Sequence, residues 1–279
     1  MHDCKLLTHA LDSLWEKYQK RLADCQHAAG EEAVHKLRIG TRRLLSLIEL
    51  LQALTPQPAL RKLRKALKAQ LDGFDQLRDT QVMLLEISGA LDALPELAPF
   101  QRHLRLTEQR LVAQTPLIIE TIRSKTLHRL LEKTRKHLLA EFGKSELKQR
   151  VMSVIDNTYQ TALERYQAID SSQPATIHRL RIAVKKLRYM LASAQMLLPA
   201  LPENHPRQLQ DYLTLMGEIQ NSRVFLSSLT SFFADQPPAS VQTHYQQRHR
   251  ALLDVYMNRR AELLRFWRSE PNQAFPWEF

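Results

Sequence analysis

Two short segments of the chain combine histidine with arginine and lysine at helical spacing, and they are near copies of each other. They read VHKLRIGTRRL at residues 34–44 and IHRLRIAVKKL at residues 177–187, so His35 and His178 stand 143 positions apart. Imidazole, guanidinium and ammonium groups all donate hydrogen bonds, and the last two are cations. Such a set is suited to binding phosphate oxygens, because Arg donates to them in pairs and Lys supplies a movable point charge.

On a helical wheel the polar residues of each segment share one face. His35, Arg38 and Arg42 form a strip, and Leu37 and Leu44 lie on an apolar side that must face a core. The second segment repeats the strip with four residues: His178, Arg181, Lys185 and, at the margin, Arg188. A second basic edge carries two further cations in each copy: Lys36 and Arg43, then Arg179 and Lys186.

A single basic helix is most simply explained as a solvated face, since like charges at this spacing repel each other. Two further strips, opposite leucines on their own helices, favour a shared function. Their residues are Arg61, Arg64, Lys65 and Lys68 in one helix, and Lys125, Arg129, Lys133 and Lys136 in the other. Four amphipathic helices with almost wholly cationic polar faces predict a positive trough or pore.

Composition agrees with an anionic partner. The 279 residues carry a formal net charge of +11, and the isoelectric point is near 9.8. This excess of positive charge favours binding to a polyanion such as nucleic acid, anionic lipid or a phosphate polymer. No long uncharged apolar run or signal peptide is evident, and Cys4 and Cys25 are expected to be reduced structural thiols. We therefore expect a cytoplasmic protein.

The hydrophobic periodicity is helical almost throughout, and only 6 Gly are present, so an all-α fold is predicted. Helices are expected near 3–28, 31–54, 58–89, 96–141 with a possible break at Pro116, 145–168, 174–198, 204–234 and 238–269. The two helices that contain the repeated segments are here called the signature helices. Pro56 and Pro199 follow them, again 143 positions apart. The repeat predicts two related helical bundles, residues 1–143 and residues 144–279, packed about a pseudo-twofold axis.

The two H-x-x-R-x-x-x-[RK]-[RK]-L elements, in this order, resemble the CHAD family, the conserved-histidine α-helical domain. Two weaker echoes downstream, Arg78-Asp79 and Gln220-Asn221, and the aromatic end of the chain strengthen the resemblance. It covers nearly the whole chain. It implies two pseudo-symmetric four-helix bundles around a basic central cavity, and binding of inorganic polyphosphate by the signature residues. Leu45 departs from the pattern because that position is usually basic, and so does Gln220-Asn221, where an Asn-Asp pair is more usual.

Signals for catalysis or metal binding are weak. No Glu-x-Glu pair suggests a triphosphate hydrolase, and no two histidines stand at i, i+4. Asp72, Asp75 and Asp79 share a helix face and could in principle hold Mg²⁺. They continue the Arg61–Lys68 strip, however, so salt bridging to basic side chains is the preferred interpretation. No cofactor or metal is expected.

The leading hypothesis is a non-catalytic polyphosphate-binding protein, concentrated at cytoplasmic polyphosphate granules. Three alternatives remain open: an RNA-binding protein, an enzyme acting on phosphate polymers, and a structural coat protein of polyhydroxyalkanoate-type granules. The last would use the aromatic tail, Phe266, Trp267, Phe275, Trp277 and Phe279, to contact an apolar surface. The alternative for the tail is that it folds back and caps the second bundle.

Overall fold

The chain folds into α-helices joined by short turns, which confirms the predicted all-α class. The computed structural model describes the backbone of residues 2–28, 30–141 and 147–278, and the same side chains except those of 2–4 and 141. Within these ranges there is no β-strand. The helices are α1 His2–His27, α2 Glu31–Leu54, α3 Pro58–Gly73, α4 Asp75–Ala90, α5 Ala98–Glu120, α6 Ser124–Glu141, α7 Leu147–Gln167, α8 Pro174–Ala194, α9 His205–Phe232 and α10 Ala239–Arg259. None of the described helices is long and apolar enough to cross a membrane.

The expected continuous helix at 58–89 is wrong, because the chain bends between α3 and α4. Phe74 leaves the helical conformation, with φ −103° and ψ 3°, and its side chain is buried in the main core. The preceding Gly73 is a poor helix former and lies against α5, where a Cβ atom would come within 3.1 Å of Ile118. The bend turns the first residue of α4, Asp75, toward α2.

The possible break at Pro116 is also wrong, since α5 continues past it to Glu120. Pro116 lies on the exposed side of the helix, so water can solvate the carbonyl that loses its donor. On the buried side, Leu111, Thr115 and Ile119 hold the same turns against the protein. The chain reverses only afterwards, at 121–123, before α6 begins.

The main hydrophobic core runs through both halves of the chain. Helices α1, α2, α3 and α6 pack around its first part, α7, α8 and α9 pack around the second, and α2 packs directly on α8 between them. A smaller core joins α4 and α5 to α9 and α10. The expected boundary at 143/144 and the thiol of Cys4 lie outside the described residues. Burial raises the pKa of Cys25 to about 11, with Asp24 adding to the effect.

The aromatic tail folds back onto the second half, as the capping interpretation predicts. Trp267 is fully buried, and Phe266 and Phe275 join the main core; Phe279 lies outside the described residues. Asp156 of α7 anchors this segment. It accepts hydrogen bonds from the Trp267 indole at 2.7 Å and from the Arg268 guanidinium at 3.0 and 2.7 Å.

Replacing Asp156 with Ala should destabilise the protein by about 3–5 kcal/mol, because the buried Trp267 indole and the half-buried Arg268 guanidinium lose their acceptor. Urea denaturation measures the effect, with Asp254→Ala, an exposed aspartate on α10, as the control. Equal stability of the two variants would contradict the anchoring role.

Candidate cation cluster between α2 and α8

The packing of α2 on α8 brings the two signature strips together. Four of their cations are buried or half-buried and interact electrostatically: Arg38, Arg42, Arg181 and Lys185, here called the cation cluster. The charge of Arg42 lowers the pKa of each of the other three. The interaction runs across the helix pair as well as along each helix. The duplicated motif therefore builds one shared cluster of cations.

Arg38 is the most buried member, with 6% of its surface exposed, and its guanidinium is engaged by the protein. Nη1 donates to the carbonyl of Leu71 at 2.9 Å, and Nη2 donates to Asp75 at 2.7 Å. Leu71 lies in the last turn of α3, and its carbonyl also accepts a hydrogen bond from the backbone N–H of Phe74 at 3.1 Å. Arg38 thus ties together the two helices that meet at the Phe74 bend.

Arg181 holds the equivalent position in the second copy but lies in a different setting. The counterpart of Asp75 is Gly217, in the middle of the unbroken α9. The Arg181 guanidinium passes over it, since a Cβ on Gly217 would lie 3.6 Å from Nη2. Arg181 makes no ion pair within the described residues. Burial lowers its pKa, Arg42 lowers it further, and Asp79 of the first half opposes the shift.

Lys185 is the most perturbed cation of the cluster. Burial lowers its pKa to about 7, and the positive charges of Arg42, Arg181, Arg38 and Arg188 add to this effect. No carboxylate offsets them among the groups acting on Lys185. The ammonium group therefore titrates near neutral pH. An arriving anion would favour its charged form.

The two signature histidines lie at the edges of the cluster. Burial lowers the pKa of His35, and Arg78 and Arg38 lower it further. Burial also lowers the pKa of His178, followed by Arg181, while a hydrogen bond with Gln220 opposes the shift. Each histidine thus interacts with the echo motif of its own half.

Of the three acids on the helix face predicted from sequence, Asp75 forms a salt bridge within the described residues. Asp75 pairs with Arg38, as the preferred sequence interpretation expected. Asp79 reaches solvent but is partly desolvated, which raises its pKa, and the neighbouring Asp75 raises it further. Arg38, Arg78 and Arg181 act in the opposite direction. Among the described side chains, no group of three or more His, Cys, Asp or Glu is arranged to hold a metal ion.

The remaining predicted cations are placed differently. Arg188 acts on Lys185 and lies over the Tyr189 ring at 4.9 Å, whereas Lys186 lies at a cavity between α7 and α8. Seven cations on the outer faces of α3 and α6, and Arg43 of α2, are exposed: Arg61, Arg64, Lys65, Lys68, Lys125, Arg129 and Lys133. Of these, Arg64 pairs with Glu49 at 3.0 Å. Binding of phosphate by these outer strips stays a prediction.

Sequence reasoning missed three features of the site: the tie from Arg38 to Leu71 and Asp75, the packing of Arg181 over Gly217, and the position of Arg223. Arg223 of α9 acts electrostatically on His178 although it lies 45 positions further along the chain. The loss of an acid between Asp75 and Gly217 was visible in the repeat. The effect of this loss on Arg181 could not be predicted from sequence, because it depends on how α9 packs against α8.

Comparison with known proteins agrees with this architecture. The family model described as CHAD domain matches residues 9–230. The chain belongs to the CHAD domain family. Two solved structures share its fold. The crystal structure of the CHAD domain from the plant Ricinus communis has 20% identity and a TM-score of 0.65, over 94% of this chain and 89% of that one. PptA from Streptomyces chartreusis has 15% identity and a TM-score of 0.68, over 93% and 98%. No curated protein sequence matches this CHAD domain.

In this CHAD domain Arg38→Ala should cost about 1–3 kcal/mol of stability, because the buried guanidinium loses its hydrogen bonds to the Leu71 carbonyl and to Asp75. Arg181→Ala, the equivalent change in the second copy, should cost less than about 1 kcal/mol, since it removes a cation that no ion pair compensates. Urea denaturation of both variants at one pH provides the comparison. A loss of equal size in both would contradict the difference between the two arginines.

Proposed function

We propose that the cation cluster binds inorganic polyphosphate and that the protein does not catalyse its breakdown. The observation that carries the proposal is the convergence of Arg42, Arg181 and Lys185 in a partly desolvated space. Bringing like charges together away from water is unfavourable. Asp75 is already engaged by Arg38, and the exposed Asp79 offsets only part of the effect on Arg181, whose pKa stays lowered. A ligand of high negative charge density would remove this cost. Binding of this kind would concentrate the protein at cytoplasmic polyphosphate granules.

A linear phosphate polymer suits the cluster for two reasons. Each phosphate offers oxygens that accept paired hydrogen bonds from Arg and a single bond from Lys. The cations also come from two helices side by side, so successive phosphates of one chain could be held by α2 and α8. The groups facing the ligand would be donors and cations, which stabilise a bound phosphate in place.

The distribution of aromatic side chains favours polyphosphate over single-stranded RNA. Proteins that bind single strands commonly stack bases on exposed aromatic rings. In the described part of this chain every Phe, Tyr and Trp is buried or half-buried. The tail aromatics are packed on the second half, which also weakens the case for a granule coat held through them.

A pair of neighbouring arginines on α2 tests the proposal. Arg42→Gln should weaken binding of long-chain polyphosphate about 10-fold or more, because it removes charge-assisted hydrogen bonds worth about 1.5–3 kcal/mol. Arg43→Gln removes the same charge from the exposed face of the same helix and should change affinity by about twofold or less. Calorimetric titration at moderate salt measures both.

Three outcomes would oppose the proposal. Equal weakening by both variants would show only nonspecific attraction to a basic surface. RNA that displaces polyphosphate at equal phosphate concentration would favour an RNA-binding function. Release of phosphate from polyphosphate with Mg²⁺ or Mn²⁺ would show an enzyme.

Lys185→Met should raise stability while weakening binding. The pKa of Lys185 is about 7 in the folded protein and about 10.4 in the unfolded chain, so the unfolded state binds more protons between these values. Native stability therefore rises with pH across this window and is lowest below pH 7. Met removes the charge, and its gain of about 1–2 kcal/mol should be largest below pH 7 and shrink toward pH 10. Thermal unfolding at several pH values measures it.

The pH dependence of polyphosphate binding by Lys185→Met provides a second measurement. Bound phosphate raises the pKa of Lys185, so wild-type affinity should fall as pH increases above about 7. Lys185→Met should lose this dependence, and the control Lys186→Met should keep both wild-type stability and the wild-type pH profile. A pH profile unchanged by Lys185→Met would place the ammonium outside the binding site.

A further inference from the structure

Two histidine nitrogens, one on α8 and one on α10, have no hydrogen-bond partner among the described residues. The Nδ1 atoms of His178 on α8 and His249 on α10 are enclosed and make no hydrogen bond. Leaving a buried polar atom unsatisfied costs about 1–3 kcal/mol, so such atoms are uncommon in native proteins. The hydrogen bond with Gln220 that raises the pKa of His178 leaves Nδ1 without a partner among the described residues. Its Nδ1 is the one left for a ligand.

Arg223 of α9 connects the two histidines electrostatically. Burial lowers the pKa of His249, and the charge of Arg223 lowers it further; the same Arg223 charge also acts on His178. Arg223 itself is exposed and makes no ion pair or hydrogen bond within the described residues. Helix α9 packs against both α8 and α10, so Arg223 belongs to the helix that lies between the two histidine-bearing helices.

We infer that Arg223 and His249, together with His178, form a second phosphate subsite that extends the cation cluster across α9 to α10. This inference rests on the proposed function and adds to it the path that the bound polymer takes across the protein. The polymer would leave the α2–α8 pair over α9 and reach α10. His249 lies beyond residue 230, where the match to the family model ends.

Protonation gives the subsite its chemistry. A neutral imidazole that donates through Nε2 has only an acceptor at Nδ1, which a phosphate oxygen does not satisfy. Once protonated, Nδ1–H becomes a donor, and the phosphate oxygen supplies the acceptor that the fold lacks. The positive groups that oppose protonation are Arg181 and Lys185 on α8 and Arg223 on α9 for His178, and Arg223 for His249. A bound anion offsets them, so binding should take up protons.

Polymer length offers a readout that a structural role would not affect. A chain long enough to cover the cation cluster and the second subsite gains from both, whereas a short phosphate oligomer cannot occupy both at once. Variants of the second subsite should therefore weaken long-chain polyphosphate much more than triphosphate. Variants of the cation cluster should weaken both ligands.

The experiment is a titration of long-chain polyphosphate and triphosphate into His249→Gln and Arg223→Gln at pH 6.5. Each variant should weaken the long chain about 5- to 10-fold and triphosphate about twofold or less. His249→Gln should also reduce the proton uptake, measured in buffers of different ionisation enthalpy. The controls are His244→Gln and Arg250→Gln, exposed residues of α10, and both should behave as wild type.

The outcomes separate this inference from the proposed function. If Arg42→Gln weakens binding while His249→Gln and Arg223→Gln leave long-chain affinity unchanged, the second subsite is wrong and the cation cluster stands. If Arg42→Gln also has no effect, polyphosphate binding at the cluster is wrong as well. Should His249→Gln fold poorly, Arg223→Gln decides the matter, because its side chain is exposed and dispensable for packing.

Discussion

The contact between α2 and α8 is the constraint on which the rest of the structure depends. Each helix has an apolar side in the shared core and a cationic strip beside it, so burying the leucines of both also brings Arg42 close to Arg181 and Lys185. The hydrophobic contribution of the main core offsets the repulsion that results. The folded state therefore retains electrostatic repulsion between these cations, and a bound anion would reduce it.

The all-α class and the orientation of both signature helices could be predicted from sequence, and so could the strips whose cations Arg38, Arg42, Arg181 and Lys185 form the cluster. That the cluster binds a ligand stays a prediction. Helical periodicity and a long repeat carry this information because they are local properties of the chain or of its two copies. The bend at Phe74 could not be predicted, since a single Gly in a helical pattern is compatible with a continuous helix. It depends on Ile118 of α5 and Arg38 of α2, which come from two other parts of the fold.

The outer strips on α3 and α6 show the limit of the helical wheel. A wheel gives the side of its own helix on which a residue lies, but not what that side faces. The strip of Arg61, Arg64, Lys65 and Lys68 is opposite the leucines, as predicted, and lies on an exposed surface. His249 illustrates the converse: nothing in the local sequence of α10 distinguishes it from His244, whereas in the fold its burial and the charge of Arg223 do so.

The exchange of Asp75 for Gly217 has a consequence for how duplicated motifs diverge. Both copies keep the same arginine, but a carboxylate across from one makes it part of the scaffold, while a bare backbone across from the other leaves it available. Specialisation then arises without any change in the signature itself. A family profile that scores only the arginines would treat the two as alike, although the residue that decides their roles lies on a different helix.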